Sequence, residues 1–365
     1  MDEQKERLTW LGFSVCSGIG PTKFGQLLDH FGTAEKAWNA SVSELRASGL
    51  GPKTAESVIQ FRDSFSLTQY QERLARADVS FVLSKDTSYP VALRTVANAP
   101  FILYCKGDIS LLETPTDTLL AVVGTRKVTD YGRQVTELLV HDLVASGVVI
   151  VSGLAMGVDA VAHTATLDAG GKTIAVLGSG VDYCTPQENK RLYDRILAAG
   201  GLIISESPLG QMPNKGSFPM RNRIIAGMSA GVLVTEGAAD SGSLITANDA
   251  LEYDRKVFAV PGPITSSVSQ GPISLLAKGA TLVMTASDVI SDLGLTNPGS
   301  VTKKEKVMGD SPDEQTIIDL LENEALSFDE IVKRSGINAS QIGTLVSLME
   351  MKGQIRQGQA GEFIL

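Results

Sequence analysis

Residues 119–180 read LLAVVGTRKVTDYGRQVTELLVHDLVASGVVIVSGLAMGVDAVAHTATLDAGGKTIAVLGSG. Three apolar runs, residues 119–123, 148–151 and 173–177, are of strand length and do not alternate with polar residues. A strand patterned this way is buried on both faces. Between the runs lie two stretches of helical periodicity, residues 132–146 and 158–169, and each strand hands over to its helix through a turn rich in small residues. The same alternation continues with strands at 202–205, 232–235 and 257–260 and helices at 187–199, 221–228 and 243–255. Strand, helix and parallel strand in series predict an α/β fold, a doubly wound, mostly parallel sheet with helices on both faces. In an open sheet of this kind ligands bind at the carboxyl ends of the strands. The loops beginning at Gly124, Ser152, Gly178, Glu206 and Glu236 converge there.

Outward from this centre the pattern changes. Residues 1–80 read as short helices with two similar turns, Gly18-Ile19-Gly20-Pro21 and Gly49-Leu50-Gly51-Pro52, each opening a helix, at 22–31 and 53–64. Proline suits the first helical position, where its missing N–H costs nothing. Glycines in such a turn let backbone N–H groups converge on a phosphate, although the hairpins could equally just turn the chain of a small bundle. Residues 81–293 form the sheet domain. Residues 294–312 are polar and rich in breakers, which predicts a linker. Residues 313–365 offer three helical stretches, at 313–323, 327–335 and 339–352, and a closing hairpin, a winged-helix pattern.

Composition narrows the class of function. The 365 residues are 43% hydrophobic and 20% charged, with 36 glycines, which fits a protein of two or three globular domains and excludes collagen, coiled coil and bulk disorder. No apolar run approaches the roughly 18 residues of a membrane span. The charged start, Met1 to Arg7, is no signal peptide. Cys16, Cys105 and Cys184 have no second Cys or His at ligand spacing, so reduced thiols in a cytoplasmic protein are expected, with no metal and no cofactor. The net charge of −9 weighs against bulk duplex binding. Segments 1–84, 85–302 and 303–365 carry 9, 16 and 7 basic residues against 10, 20 and 11 acidic ones, so no segment is a basic module. A nucleic-acid site on this chain has to be a local cluster on an acidic body.

The strand-end loops supply one. They are Gly124-Thr125-Arg126-Lys127, Ser152-Gly153 through Asp159 with His163 beyond, Gly178-Ser179-Gly180, residues 215–223 with Lys215, Phe218, Arg221 and Arg223, and residues 236–247 with Ser241-Gly242-Ser243. Small residues let a backbone approach a bulky anion, while hydroxyls, helix N-terminal amides and Arg forks hydrogen-bond it. There is no Gly-x-x-x-x-Gly-Lys-Ser/Thr, which excludes a P-loop NTPase, and the turn at Gly178 lacks the glycine that completes a dinucleotide fingerprint. His163 has no nucleophile or metal-ligand partner, so a packing or hydrogen-bonding role is expected. Glu206 and Glu236 end two strands and could polarise water or orient arginines through ion pairs.

Together Gly124-Thr125-Arg126, Ser152-Gly-x-Ala-x-Gly-x-Asp159 with His163, Phe218-Pro-x-Arg-Asn-Arg223 and Ser241-Gly-Ser-Leu-Ile-Thr-Ala247 resemble the DNA-processing protein A family (DprA, or Smf), over essentially the whole chain. The resemblance implies a Rossmann-like domain that dimerises, between a helix-hairpin-helix (SAM-like) domain and a winged helix. It implies a protein of natural transformation that binds and protects single-stranded DNA and helps load RecA onto strands covered by single-strand-binding protein. It also implies a DNA pocket using Arg126, Lys215 and Phe218. Thr185-Pro186-Gln187-Glu188 departs from the family, where Tyr-Pro and a basic residue are common, and leaves one phosphate contact to Lys190 or Arg191.

The residues themselves fit such a pocket, since single-strand binding needs cations for the backbone and an aromatic platform for a base. Phe218 could instead anchor its loop in the core. Two other classes compete. One is a nucleotide-processing enzyme of the lysine-decarboxylase-like phosphoribohydrolase type with Glu236 as its carboxylate, although that family's Pro-Gly-Gly-x-Gly-Thr turn is replaced here by Thr235-Glu236-Gly237. The other is an adaptor whose outer domains recruit proteins.

Overall fold

The computed structural model describes residues 3–214, 216–295, 309–321, 326–352, 354–357 and 362–364. The apolar runs become the strands of a nine-stranded sheet: β1 (Ser80–Leu83), β2 (Ile102–Gly107), β3 (Leu119–Val123), β4 (Val149–Ser152), β5 (Thr173–Val176), β6 (Leu202–Ser205), β7 (Gly231–Val234), β8 (Lys256–Ala259) and β9 (Thr281–Leu282). Their order is β1-β2-β6-β5-β4-β3-β7-β8-β9. From β6 to β9 all neighbours are parallel, whereas β2 pairs antiparallel with both β1 and β6. The chain winds outward from β3 to β6, then crosses back to set β7 on the other side of β3. That reversal is the topological switch point, where the loops after β3 and β7 part and leave a crevice.

Non-alternating burial has its expected cause. Leu119, Ala121 and Val123 pack on one face with Ile224, Ile225 and Met228 from the helix Ser217–Met228. Leu120 and Val122 pack on the other with Leu139, Val140 and Leu143 from the helix Asp130–Ala145. Both helices start earlier than the periodicity predicts, because Thr129 caps the second through a hydrogen bond from Gly132 N and an Asn214 turn sets the start of the first.

The N-terminal helices share a core with the sheet. Trp10, Phe13, Phe24, Leu27 and Trp38 cluster with Ile102, Tyr104, Leu177 and Ile203. Polar ties fix the bundle there: Ser14 Oγ lies 2.6 Å from the Tyr104 hydroxyl, Leu209 N donates to the Tyr70 hydroxyl at 2.9 Å, and Thr22 Oγ1 donates to Asn98 Oδ1 at 2.8 Å. The helices after the two Gly-Pro turns are Pro21–Phe31 and Pro52–Ser64. Lys23 bonds Gly18 O and Thr54 Oγ1, so it staples the two hairpins together. Chain contacts divide the molecule into Met1–Asn297 and Pro298–Leu365. Most of the expected linker, residues 296–308, lies outside the described residues. The second unit has helices Pro312–Leu321, Phe328–Ser335 and Ala339–Met351 and a ribbon of β10 (Arg356–Gln357) and β11 (Phe363–Ile364), over a core of Ile317, Ile318, Ile331, Ile342 and Met349: a winged helix. No described helix is long and apolar enough to cross a membrane.

Candidate functional site

At the switch point the loop after β3 is stitched to the loop after β7. Thr125 N donates to Glu236 O at 2.7 Å, and Thr125 O accepts from Val158 N at 3.1 Å. Close approach sets the glycines here: a Cβ on Gly124 would come 2.6 Å from Glu236 O, and one on Gly157, whose φ is +79°, 2.2 Å from Thr125 O. This packing presents Arg126 and Lys127 to solvent.

Beside them lie two adjoining clefts. One, of about 260 Å³, is lined by Gly124, Arg126, Phe218, Arg221 and the Ser241-Gly242-Ser243 turn. The other, of about 130 Å³, is lined by Arg126, Gly153, Gly178, Thr185, Phe218 and Arg221. The half-buried Phe218 ring stands between them, with the Arg126 guanidinium carbon 5.2 Å from its centroid. The ring lines both clefts and is not part of the buried core. A third hollow, about 360 Å³, brings Lys127 and Arg133 to the far side of Arg126.

Arg221 is the site's buried cation. It is 6% exposed, and Nη1 donates to Gly153 O (2.5 Å) and Val176 O (2.7 Å). Burial pushes its pKa below the ordinary value; Asp159 opposes this and Arg126 adds to it. Asp159 is held above the usual carboxylate range by burial, against the pull of Arg221 and of the amides of Ala155 and Gly153. The turn at Ser241 opens the helix Gly242–Glu252, whose first amides border the larger cleft; the Ser241 hydroxyl accepts from Ser243 N at 3.3 Å.

Several residues expected at the site are elsewhere. Arg223 is turned away: it pairs with Glu206 and donates to Asn98 O at 2.5 Å. Ser152 and Ser179 are fully buried, their hydroxyls donating to Val122 O and Tyr183 O. Glu236, the carboxylate an enzymatic reading needs, is 2% exposed and accepts from Thr129 N (2.9 Å) and Thr129 Oγ1 (2.6 Å). Of the two strand-end carboxylates expected to orient arginines, Glu206 does so and Glu236 anchors Thr129 instead. Lys215 lies outside the described residues. Lys190 pairs with Asp194 one turn along its own helix, and Arg191 is exposed.

His163 is a core residue. Thr173 Oγ1 donates to Ile150 O at 2.6 Å, so it accepts from His163 Nδ1 at 2.8 Å, and Nε2 is buried without a partner among the described residues. Burial, with Arg221 nearby, pushes its pKa down to about 3, and the ring is neutral. Sequence reasoning missed Arg133 and Asn222. Arg133 could have been found from the Thr129 cap, which places it in the first turn above the Arg126 loop. Asn222 follows Arg221, accepts from its Nε at 3.1 Å and donates to Gly242 O at 3.3 Å, tying two walls of the cleft.

Comparison with known proteins agrees with this layout. The family model described as DNA recombination-mediator protein A matches residues 80–294, a DprA winged helix domain matches 302–361, and a DprA-like N-terminal HHH domain matches 4–56. Protein Smf of Synechocystis is 39% identical over 291 residues, 79% of this chain and 73% of the relative. The X-ray structure of DNA processing protein A from Streptococcus pneumoniae superposes with a TM-score of 0.68 at 34% identity, covering 78% of this chain and 97% of that one. The DNA processing protein A of Helicobacter pylori, whose structure is described for its single-stranded DNA binding mode, superposes with a TM-score of 0.53 at 34% identity, covering 59% and 95%.

Proposed function

The chain belongs to the DNA recombination-mediator protein A family, and from that premise we propose that it binds single-stranded DNA across the strand ends of its sheet. The observation that carries this reading is the group of Arg126, Phe218 and Arg221 at the switch point. An exposed guanidinium lies against an aromatic face, a buried guanidinium lies behind it, and glycine-lined clefts open on either side. Arg126 and Lys127, joined by Arg133, neutralise phosphates, and Phe218 offers a face for a base. On an acidic chain with so local a cation cluster, a flexible single strand reaches the clefts where a rigid duplex does not.

Its role is that of a mediator rather than a catalyst. It protects incoming strands during natural transformation and helps load the RecA recombinase where single-strand-binding protein covers the DNA. A homodimer serves this role, since two short pockets on one strand gain from effective concentration. The sheet edge at β9 offers Leu282 and Met284, 46% and 70% exposed, for such self-association.

The test is a gel-shift titration of single strands against blunt duplex over a range of salt, with Arg126→Ala and Lys215→Ala beside the wild type. Each substitution should weaken single-strand binding by about 1–3 kcal/mol, with circular dichroism unchanged, and binding should weaken as salt rises. Equal affinity for duplex, or wild-type binding by both variants, overturns the reading.

A further inference from the structure

A cleft of about 380 Å³ separates the first helical hairpin from the sheet. The hairpin supplies one wall, Ile19, Gly20 and Pro21, and the helix Ser217–Met228 supplies the other, with Met220 and Arg221. Phe101 and Leu177 also line it. Arg221 and Gly178 line both this cleft and the smaller one beside Phe218, so the two adjoin. The hairpin wall is held in place by the ties of Ser14 to Tyr104 and Thr22 to Asn98.

Two details show what the cleft suits. Gly20 has φ −101°, extended backbone that any residue adopts, and a Cβ built there meets nothing within 4 Å. The backbone does not demand glycine, and the missing side chain leaves the opening wide. Glu206 also lines the cleft; one of its carboxylate oxygens takes Arg223 while Oε1 carries no hydrogen bond among the described residues. The apolar side chains of Ile19, Phe101, Leu177 and Met220 suit the faces of a flat ring, and the Glu206 carboxylate suits N–H donors on its edge, while Arg221 and the polar Ser207, Gln211 and Asn214 complete the lining.

Resting on the single-strand reading above, we propose that this cleft receives a nucleobase with an exocyclic amino group, such as cytosine, from the strand whose phosphates lie at Arg126. The helical hairpin then touches DNA through the apolar side chains beside its Gly-Pro turn, as one wall of the base channel.

The full-length chain tests this. An oligonucleotide carrying iodinated deoxycytidine should photocrosslink to the hairpin at residues 14–21 or to Met220. Gly20→Leu, which fills the opening, should lower the ratio of oligodeoxycytidine to oligodeoxythymidine affinity by about tenfold, the loss of one hydrogen bond to a charged group. Met220→Ala repeats the test from the opposite wall and should lower the same ratio. Arg126→Ala should weaken both oligonucleotides alike. An unchanged ratio in Gly20→Leu and Met220→Ala, with no crosslink to residues 14–21 or 220, overturns the base channel and leaves single-strand binding standing. Failure of the wild-type chain to bind either oligonucleotide overturns both.

Discussion

Replacing Gly153 by alanine should disable the site from underneath. A Cβ there would sit 1.8 Å from Arg221 Nη1 and 2.3 Å from its Cζ, so the guanidinium cannot keep its position. Arginine is flexible and can swing out, but Nη1 then gives up Gly153 O and Val176 O, the two carbonyls it now reaches at 2.5 and 2.7 Å. A hydrogen bond from a charged donor contributes about 1.5–3 kcal/mol. Rehydration of the freed guanidinium offsets part of the loss, which leaves a net destabilisation of about 2–4 kcal/mol. The displaced side chain also enters the clefts it now lines, so single-strand affinity falls with stability. Urea unfolding and fluorescence anisotropy on the same preparations separate this from Arg126→Ala, where the side chain is exposed and binding should fall with stability unchanged. Gly25→Ala is the control, since a Cβ there meets nothing within 4 Å and Gly25 lines none of the clefts. If Gly153→Ala unfolds within about 0.5 kcal/mol of wild type, the range of a neutral surface change, Arg221 is not held as described.

Three further outcomes are expected. His163 has its pKa lowered to about 3 from an ordinary 6.5, so the unfolded chain binds the extra proton between those values. Stability is therefore full above pH 6.5 and falls as pH drops, by about 2 kcal/mol from this residue near pH 5; His163→Leu should remove that slope in urea titrations, and an unchanged slope refutes the assignment. Oligonucleotides too short to bridge two pockets should bind much more weakly than longer ones, and a monomer by sedimentation with no length dependence contradicts the dimer. Residues 311–365 alone should not shift duplex DNA at physiological salt, because the helix Ala339–Met351, the second of the pair that a DNA-reading winged helix lays in the major groove, has no cation but the capping Lys352, which bonds Glu314 at 2.9 Å; a shift at concentrations where the full chain binds single strands refutes this.

The parallel strands β3 to β8 were legible because burial on both faces leaves a continuous apolar signature; the two-residue edge strand β9 was not. Strands β1 and β2 were not either, since β2 pairs antiparallel with β6, some hundred residues on, and β1 only with β2, and such pairing leaves no trace in a short run such as Ile102-Leu103-Tyr104. At the site, Arg126 and Phe218 were legible from their motifs. Arg221 and Arg223 looked equivalent but stand two residues apart on one helix, about 200° around its axis, so only one of them can face the clefts. Their spacing held that information, while the choice between them rests on Glu206, which draws Arg223 the other way. Ser152, Ser179 and Glu236 misled because strand-end hydroxyls and carboxylates also satisfy the backbone of their neighbours, and a sequence does not separate that duty from ligand contact.

The stitching of Thr125 to Glu236 O, and of the Glu236 carboxylate to Thr129, has a kinetic consequence. Those two loops are more than a hundred residues apart in the chain, yet neither can lift away without breaking the other's hydrogen bonds. They should therefore open as one cooperative unit, and the amides of Thr125, Thr129 and Gly237 should share a single hydrogen-exchange free energy. Because Thr125 binds Glu236 only once β7 lies beside β3, the binding surface depends on a non-local pairing of the sheet's centre and not on local structure alone.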